Sequence, residues 1–275
     1  MKTIGFVDYY VSEWHANNYP AWIASLCEEM NLEFRVDYAW AERDTSPVTG
    51  ETTDEWCARM GVTRCATLEE LCEKSDVILV LAPTDPDRHL PYAKTVLRYG
   101  KPTYIDKTFA PSREEAREIF AIAEKYNTPL FSTSALRYAT ELQDAPEIAS
   151  LTVTGSGSRF DEYLIHLVEQ AVILLRDPVL SAHVTRQGEQ RVCYLTTEHG
   201  KRATLVYAAK LPYAISAETA DGKAWGKRVS SDFFRGLLAD ILRFYKSGKA
   251  PVSPAETLEV MRMRDMLLAA DPVKE

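Results

Sequence analysis

The run Ser75-Asp-Val-Ile-Leu-Val-Leu-Ala-Pro-Thr84 constrains the fold more than any other stretch of the chain. From Val77 to Ala82 every residue is apolar, with no alternation. A strand with one wet face alternates apolar and polar side chains. One that is apolar throughout is covered on both faces, as an inner strand of a parallel sheet is. Parallel strands need long crossovers, and the flanking sequence supplies helices for them. Ile4–Val7, Phe34–Trp40, Thr103–Ile105 and Pro129–Ser132 read as companion strands. Between them, Thr53 can cap a helix that stops at Gly61, and Thr67-Leu-Glu-Glu70 is a capping box for a short helix. Pro91–Tyr99 is a helix ended by Gly100, and Ser112-Arg-Glu-Glu115 opens one that runs through Tyr126. Pro20 suits the first position of a helix reaching Met30, since its missing N–H costs nothing there. Asp8–Tyr19 then reads as a long loop.

After Thr133 the pattern changes. A strand at Ser150–Val153 precedes a helix from Asp161 to Leu175. Strand-like runs follow near Leu180–Arg186, Arg191–Thr197, Ala203–Ala208 and Ile215–Thr219, some separated by turn signals such as Asp221-Gly222. Two helices close the chain, the last with Ser253 as cap and Pro254 at its first position. The expected fold class is α/β. A parallel-sheet domain over residues 1–132 is followed by an α+β domain with an open, mainly antiparallel sheet over 133–275.

Composition excludes several functions. The net charge is −8 and there is no basic run, which argues against a nucleic-acid partner. No apolar stretch approaches 18 residues, so no membrane span is expected. Cys27, Cys57, Cys65, Cys72 and Cys193 contain no C-x-x-C pair and read as reduced thiols, with neither a disulfide frame nor a metal site. The apolar stretch Thr3–Val7 is too short for a signal peptide, and the expected location is the cytoplasm.

The strand Val77–Ala82 with Pro83-Thr84, then His89, Ala93, Leu97 and Gly100-Lys-Pro-Thr-Tyr-Ile-Asp-Lys-Thr-Phe-Ala110, resembles the Gfo/Idh/MocA family. The family pattern there is an Ala-Thr-Pro-type strand end, a His, a Gly-Lys-His turn and Glu-Lys-Pro. Leu136-Arg-Tyr138 is similar to its crossover into the second domain, and Phe233–Leu267 to its C-terminal helices. The resemblance implies a Rossmann domain, a sheet-based substrate domain and hydride transfer between NAD(P) and a sugar, polyol or related carbon. This sequence departs from the pattern in reading Asp106-Lys107-Thr108 for Glu-Lys-Pro, and in being short between Leu151 and His166.

Lys107 follows a strand's C-terminal end, where open α/β sheets place their ligands, and an ammonium there can stabilise negative charge developing on oxygen. The alternative is a solvated loop lysine. Glu162, His166 and Glu169 share one helix face at i, i+4 and i+7, so an imidazole lies between carboxylates that can orient it for proton exchange with an alcohol. The alternative is a polar stripe on an amphipathic helix, and Asp161 can replace Glu162 if the helix starts one residue differently. The family pattern Asp-x-Gly-x-His-x-x-Asp resembles Glu162, Leu164, His166 and Glu169 here. By that resemblance Lys107, His166 and Glu162 are the catalytic candidates; Arg137 and Glu169, with Trp14 and His15 from the aromatic stretch described next, are the candidate substrate contacts.

The cofactor loop is where the chain departs most. Gly-x-Gly-x-x-Gly should follow Ile4–Val7, but the sequence reads Asp8-Tyr-Tyr-Val-Ser-Glu13. Glycines let the backbone approach a pyrophosphate, Tyr10 obstructs it, and Asp8 repels it by about 4 kcal/mol at 4 Å and an effective dielectric near 20. Tyr9, Tyr10, Trp14, His15, Asn17 and Asn18 are instead rich in groups that stack on and hydrogen-bond sugars. The cofactor contacts implied by the resemblance are Asp8, Tyr9, Glu42, Ala82, Pro83, Thr84, His89, Asp106 and Lys107. Glu42 at the adenine ribose favours NAD over NADP, with binding weakened by the missing glycines; His89 also suits packing at a helix start. The expectation is an NAD(P)-dependent oxidoreductase of a carbohydrate-like small molecule. The rival is a ligand-binding or regulatory protein that kept the fold and lost the cofactor. A third reading is a glycosidase or lyase using bound NAD transiently. Apolar groups on both faces of Ala203–Ala208 point to a homodimer or larger homo-oligomer through that sheet.

Overall fold

The computed structural model describes residues 1–272, in two compact units. The first takes Met1–Thr133 together with Leu238–Pro254, and the second Ser134–Leu237 and Ala255 onward.

The first unit holds β1 (Lys2–Asp8), α1 (Trp14–Met30), β2 (Phe34–Ala41), α2 (Thr53–Met60), β3 (Thr63–Arg64) and α3 (Leu68–Lys74). It continues with β4 (Val77–Val80), α4 (His89–Val96), β5 (Thr103–Ile105), α5 (Arg113–Lys125) and β6 (Leu130–Phe131). The strands form one sheet in the order β3-β2-β1-β4-β5-β6, every pair parallel. All four residues of β4 are buried, as its unbroken apolar run requires. In register, Val7 lies beside Val80 and Val80 beside Ile105, so Asp8, Leu81 and Asp106 emerge together along one rim. The sheet order reverses between β1 and β4, and such a switch point opens a crevice at the strands' C-terminal ends. Gly5 is there because α3 lies on β1: a Cβ would fall 2.3 Å from Ser75 Oγ and 2.7 Å from Leu71 Cδ2.

Helix α1 corrects the sequence expectation at two points. It begins at Trp14, not Pro20, so Asp8–Tyr19 is no long loop; Pro20 lies inside the helix. Proline in a helix interior forfeits one backbone hydrogen bond and crowds the preceding turn. The longer helix compensates by burying Ala16, Tyr19, Ile23, Leu26 and Cys27, a 3.6-residue spacing that crosses the proline, and by the Glu13 cap described below. At α2 the cap is Thr52, with a full capping box to Glu55, and Thr53 is the first helical residue.

The second unit holds β7 (Ile148–Gly155), α6 (Phe160–Leu175), β8 (Val179–Gln187), β9 (Gln190–Thr197), β10 (Arg202–Tyr207), β11 (Ala214–Thr219) and β12 (Ala224–Arg228). Its sheet runs β12-β11-β7-β10-β9-β8, antiparallel except for the parallel pair β7 and β10. Along β10, Ala203, Leu205 and Tyr207 are buried on the side of α6, while Thr204 and Val206 on the other face are half-exposed. Two helices end the described chain, α7 (Phe233–Ser247) and α8 (Pro254–Ala270). Within the first unit, Phe244 packs on Phe131, and Tyr245 packs near Phe34 and donates to the Ile78 carbonyl at 2.7 Å.

Candidate functional sites

In the first unit the chemistry collects at the rim of the sheet. Asp8 is buried at the end of β1; its Oδ1 accepts from Tyr9 N at 2.7 Å and Ala82 N at 3.0 Å. Ala82 takes the left-handed backbone (φ 48°), an uncommon state for a residue with a Cβ and one that clusters near functional sites. Burial, then the charge of Glu13, pushes the Asp8 carboxyl well above its ordinary range. Among the described residues, Asp8 Oδ2 and Asp106 Oδ2 are buried without a hydrogen-bond partner. The Tyr104 hydroxyl lies 3.1 Å from Asp106 Oδ1.

Glu13 caps α1. Its Oε2 accepts from His15 N at 2.8 Å and lies 2.9 Å from His15 Nδ1, while Oε1 accepts from Ala16 N. The loop ahead of it is stitched down. Ser12 is buried, donating to Glu51 at 2.6 Å and receiving Ser46 Oγ on its carbonyl at 2.8 Å. The aromatic residues follow on the helix: Trp14 is half-exposed, edge-on to His15 at 5.1 Å and to Trp22 at 5.6 Å. Asn17 accepts from Trp56 Nε1 and Arg59.

Around this crevice, Lys107 is half-buried, and its Nζ donates to Pro83 O at 2.7 Å. Thr84 donates to Asp85 at 2.9 Å. Glu42 accepts from the Tyr92 hydroxyl at 2.8 Å and pairs with Arg88 at 3.1 Å; Arg88 in turn lies over the Tyr9 ring. His89 is fully buried, with Nε2 2.7 Å from Leu81 O and Nδ1 3.2 Å from Phe109 O. Burial lowers its pKa from the ordinary histidine value, and the ring lies between the end of β4 and the segment after β5.

In the second unit α6 carries the other candidates. His166 is half-buried with Nδ1 2.7 Å from Ser134 Oγ, between the rings of Tyr163 (5.7 Å) and Tyr213 (6.1 Å). Gly157 makes room for Tyr163, since a Cβ there would fall 1.9 Å from the ring. Tyr213 donates to Ser156 O at 2.6 Å, and burial raises its hydroxyl pKa. Glu169 is not a solvated carboxylate. It is buried and accepts from Arg137 Nε at 2.6 Å, while Arg137 Nη1 donates to Glu256 at 2.6 Å. Burial opposes the Arg137 charge, but the two carboxylates outweigh it and raise its pKa. Glu162 sits half-buried in the first turn beside Asp161, which pairs with Arg159. Sequence reasoning overlooked Ser134, Tyr163 and Tyr213; the one local signal was the glycine pair at 155 and 157 beside an aromatic helix start.

Comparison with known proteins bears on both units. Residues 45–134 match the model of an oxidoreductase family with an NAD-binding Rossmann fold, named for Gfo, Idh and MocA. Over that stretch the chain is similar to the Gfo/Idh/MocA family. The uncharacterized oxidoreductase YhhX of Escherichia coli is 40% identical over 57 residues, 21% of this chain and 16% of that protein. The uncharacterized oxidoreductase C115.03 of Schizosaccharomyces pombe is 26% identical over 170 residues, 52% of this chain and 46% of that protein. The chain thus matches less than half the length of either. The fold extends further: UDP-N-acetylglucosamine 3-dehydrogenase GnnA from Acidithiobacillus ferrooxidans superposes with a TM-score of 0.77 at 12% identity, over 98% of this chain and 97% of that one. The parallel first sheet and the mixed second sheet therefore share the fold of that structure.

The NAD that the Gfo/Idh/MocA fold implies has to seat its pyrophosphate on the N–H groups at the head of α1. Those groups are taken by Glu13, whose side chain is 8% exposed, and Asp8 lies behind it. The residues present do not fit a pyrophosphate in that place.

Proposed function

We propose that this protein is an oxidoreductase of a sugar, polyol or related carbohydrate derivative, with NAD as its redox partner in preference to NADP. The observation that supports it best is His166: Nδ1 is held by Ser134 and aromatic rings flank the imidazole, as a proton-exchanging group for a hydroxylated ligand needs. In this reading His166 Nε2 exchanges the proton of the carbinol. Lys107 of the first unit is the other catalytic candidate, an ammonium able to stabilise charge developing on oxygen, and Glu162 adds negative potential beside the imidazole. The α1 seat does not fit a pyrophosphate, and the dissociation constant of the nucleotide is expected above about 10 μM after the loss of one or two charge-assisted hydrogen bonds at about 1.5–3 kcal/mol each. That GnnA is a UDP-N-acetylglucosamine dehydrogenase supports a carbohydrate substrate class and names no substrate for this chain.

The test is a panel of sugars, inositols and sugar acids with either nicotinamide. Lys107→Ala and His166→Ala should each lower turnover about 10²-fold or more, with melting temperature nearly unchanged. A melting temperature several degrees lower, with unchanged specific activity, would refute the catalytic roles. The second reading, a ligand-binding protein without a nucleotide, is favoured by the Glu13 cap alone. It predicts no NADH binding at millimolar concentration.

A further inference from the structure

We infer that Glu13 occupies, from within the chain, the anion seat at the head of α1, and that this residue sets how weakly the first unit holds a dinucleotide. The inference deepens the dinucleotide reading above and rests on it. An α-helix begins with backbone N–H groups that have no partner inside the helix, and its dipole adds partial positive charge there. In a parallel sheet of this strand order, that end of the first helix meets the switch point between β1 and β4, where a phosphate would be drawn in.

Here the donors are already used. Glu13 takes the N–H groups of His15 and Ala16, and its Oε2 also lies against His15 Nδ1, so the seat holds one carboxylate with three nitrogen contacts. The carboxylate is 8% exposed, and it cannot swing away cheaply, because Glu13 N donates to Val11 O at 2.9 Å and Ser12 is clamped by Glu51, Ser46 and Thr49. A second observation is independent of the cap. Among the described residues Asp8 Oδ2 is buried on the same rim without a hydrogen-bond partner, an oxygen that calls for a donor, which a dinucleotide's pyrophosphate does not supply. A pyrophosphate must therefore expel one acid and settle beside another.

Serine is among the strongest N-cap residues, so Glu13→Ser keeps the helix start while removing the charge; Glu13→Gln keeps the shape. The full chain and both variants are titrated with NADH by fluorescence and with inorganic pyrophosphate by calorimetry, and melting temperatures are recorded. The expected result is that Glu13→Ser binds both probes at least 10-fold more tightly than wild type, with Glu13→Gln between. Tighter pyrophosphate binding by Glu13→Ser, with no NADH binding by any form at millimolar concentration, upholds Glu13 as the occupant of the anion seat and ends the dinucleotide reading. Sub-micromolar NADH binding by wild type overturns the inference and leaves that reading standing. Folded Glu13→Ser that binds neither probe more tightly than wild type also overturns it. If Glu13→Ser does not fold, Glu13→Gln decides on the same criteria.

Discussion

Glu169→Ala should destabilise the second unit without acting as a loss of substrate contact. Arg137 Nε meets Glu169 at 2.6 Å, with side chains 16% and 4% exposed, and Nη1 meets Glu256, which is 35% exposed. Breaking a buried ion pair by removing one partner costs about 3–5 kcal/mol, because a charge is left in a poor solvent. Glu256 and the partial exposure of Arg137 soften this, so about 3 kcal/mol is expected. For a chain of this size that corresponds to a fall in melting temperature on the order of 10 °C. Thermal and urea unfolding measure it. Replacing the pair by apolar residues of similar volume, Glu169→Leu with Arg137→Met, should recover most of the loss, since desolvation of both charges is then avoided. A Glu169→Ala protein that melts within 1 °C of wild type, or an Arg137→Met, Glu169→Leu protein no better than Glu169→Ala, would refute the reasoning. A raised KM with unchanged stability would return Glu169 to the substrate.

Glu51 is held at about pKa 2 by Arg59 and by Ser12, against an ordinary value of 4.5. A depressed carboxylate stabilises the fold above pH 4.5, and that contribution is lost as pH falls toward 2, so unfolding free energies at pH 6 and pH 3 should differ by about 1 kcal/mol more in wild type than in Glu51→Gln, after allowance for solvent screening. Gly5→Ala should cost about 1–3 kcal/mol by overpacking against Ser75 and Leu71, and Ser75→Gly should return part of it in chemical denaturation. Light scattering at micromolar concentration is expected to show a homodimer or larger assembly, which Tyr194→Glu on the outer face of the second sheet disrupts; a wild-type monomer would defeat this.

The regular elements were legible because each rests on a local pattern. The unbroken run at Val77 fixes that both faces of β4 are covered, and Gly61 and Gly100 both end helices in the left-handed conformation, as their positions suggested. Pro20 misled for the opposite reason. A proline is a strong local stop, but the spacing of Ala16, Tyr19 and Ile23 and the carboxylate of Glu13 together outweigh it. The environment of His166 was half legible. Glu162 and Glu169 do share its helix, yet Ser134 reaches Nδ1 from 32 residues away, and Arg137 and Glu256 draw Glu169 into their own network. Pairings across such sequence distances leave no periodic trace.

On the ribosome, the first unit cannot be completed until the second has been synthesised almost in full. Phe131 waits for Phe244, and Ile78 O for the hydroxyl of Tyr245, while all of Ser134–Leu237 is translated in between. At about 5–20 residues per second that delay is on the order of 5–20 s. During it the nascent sheet exposes aromatic surface that a chaperone, or a neighbouring nascent chain, can reach first. The yield of active protein from a cell should therefore depend on elongation speed through this interval, and synonymous codons become part of the folding problem.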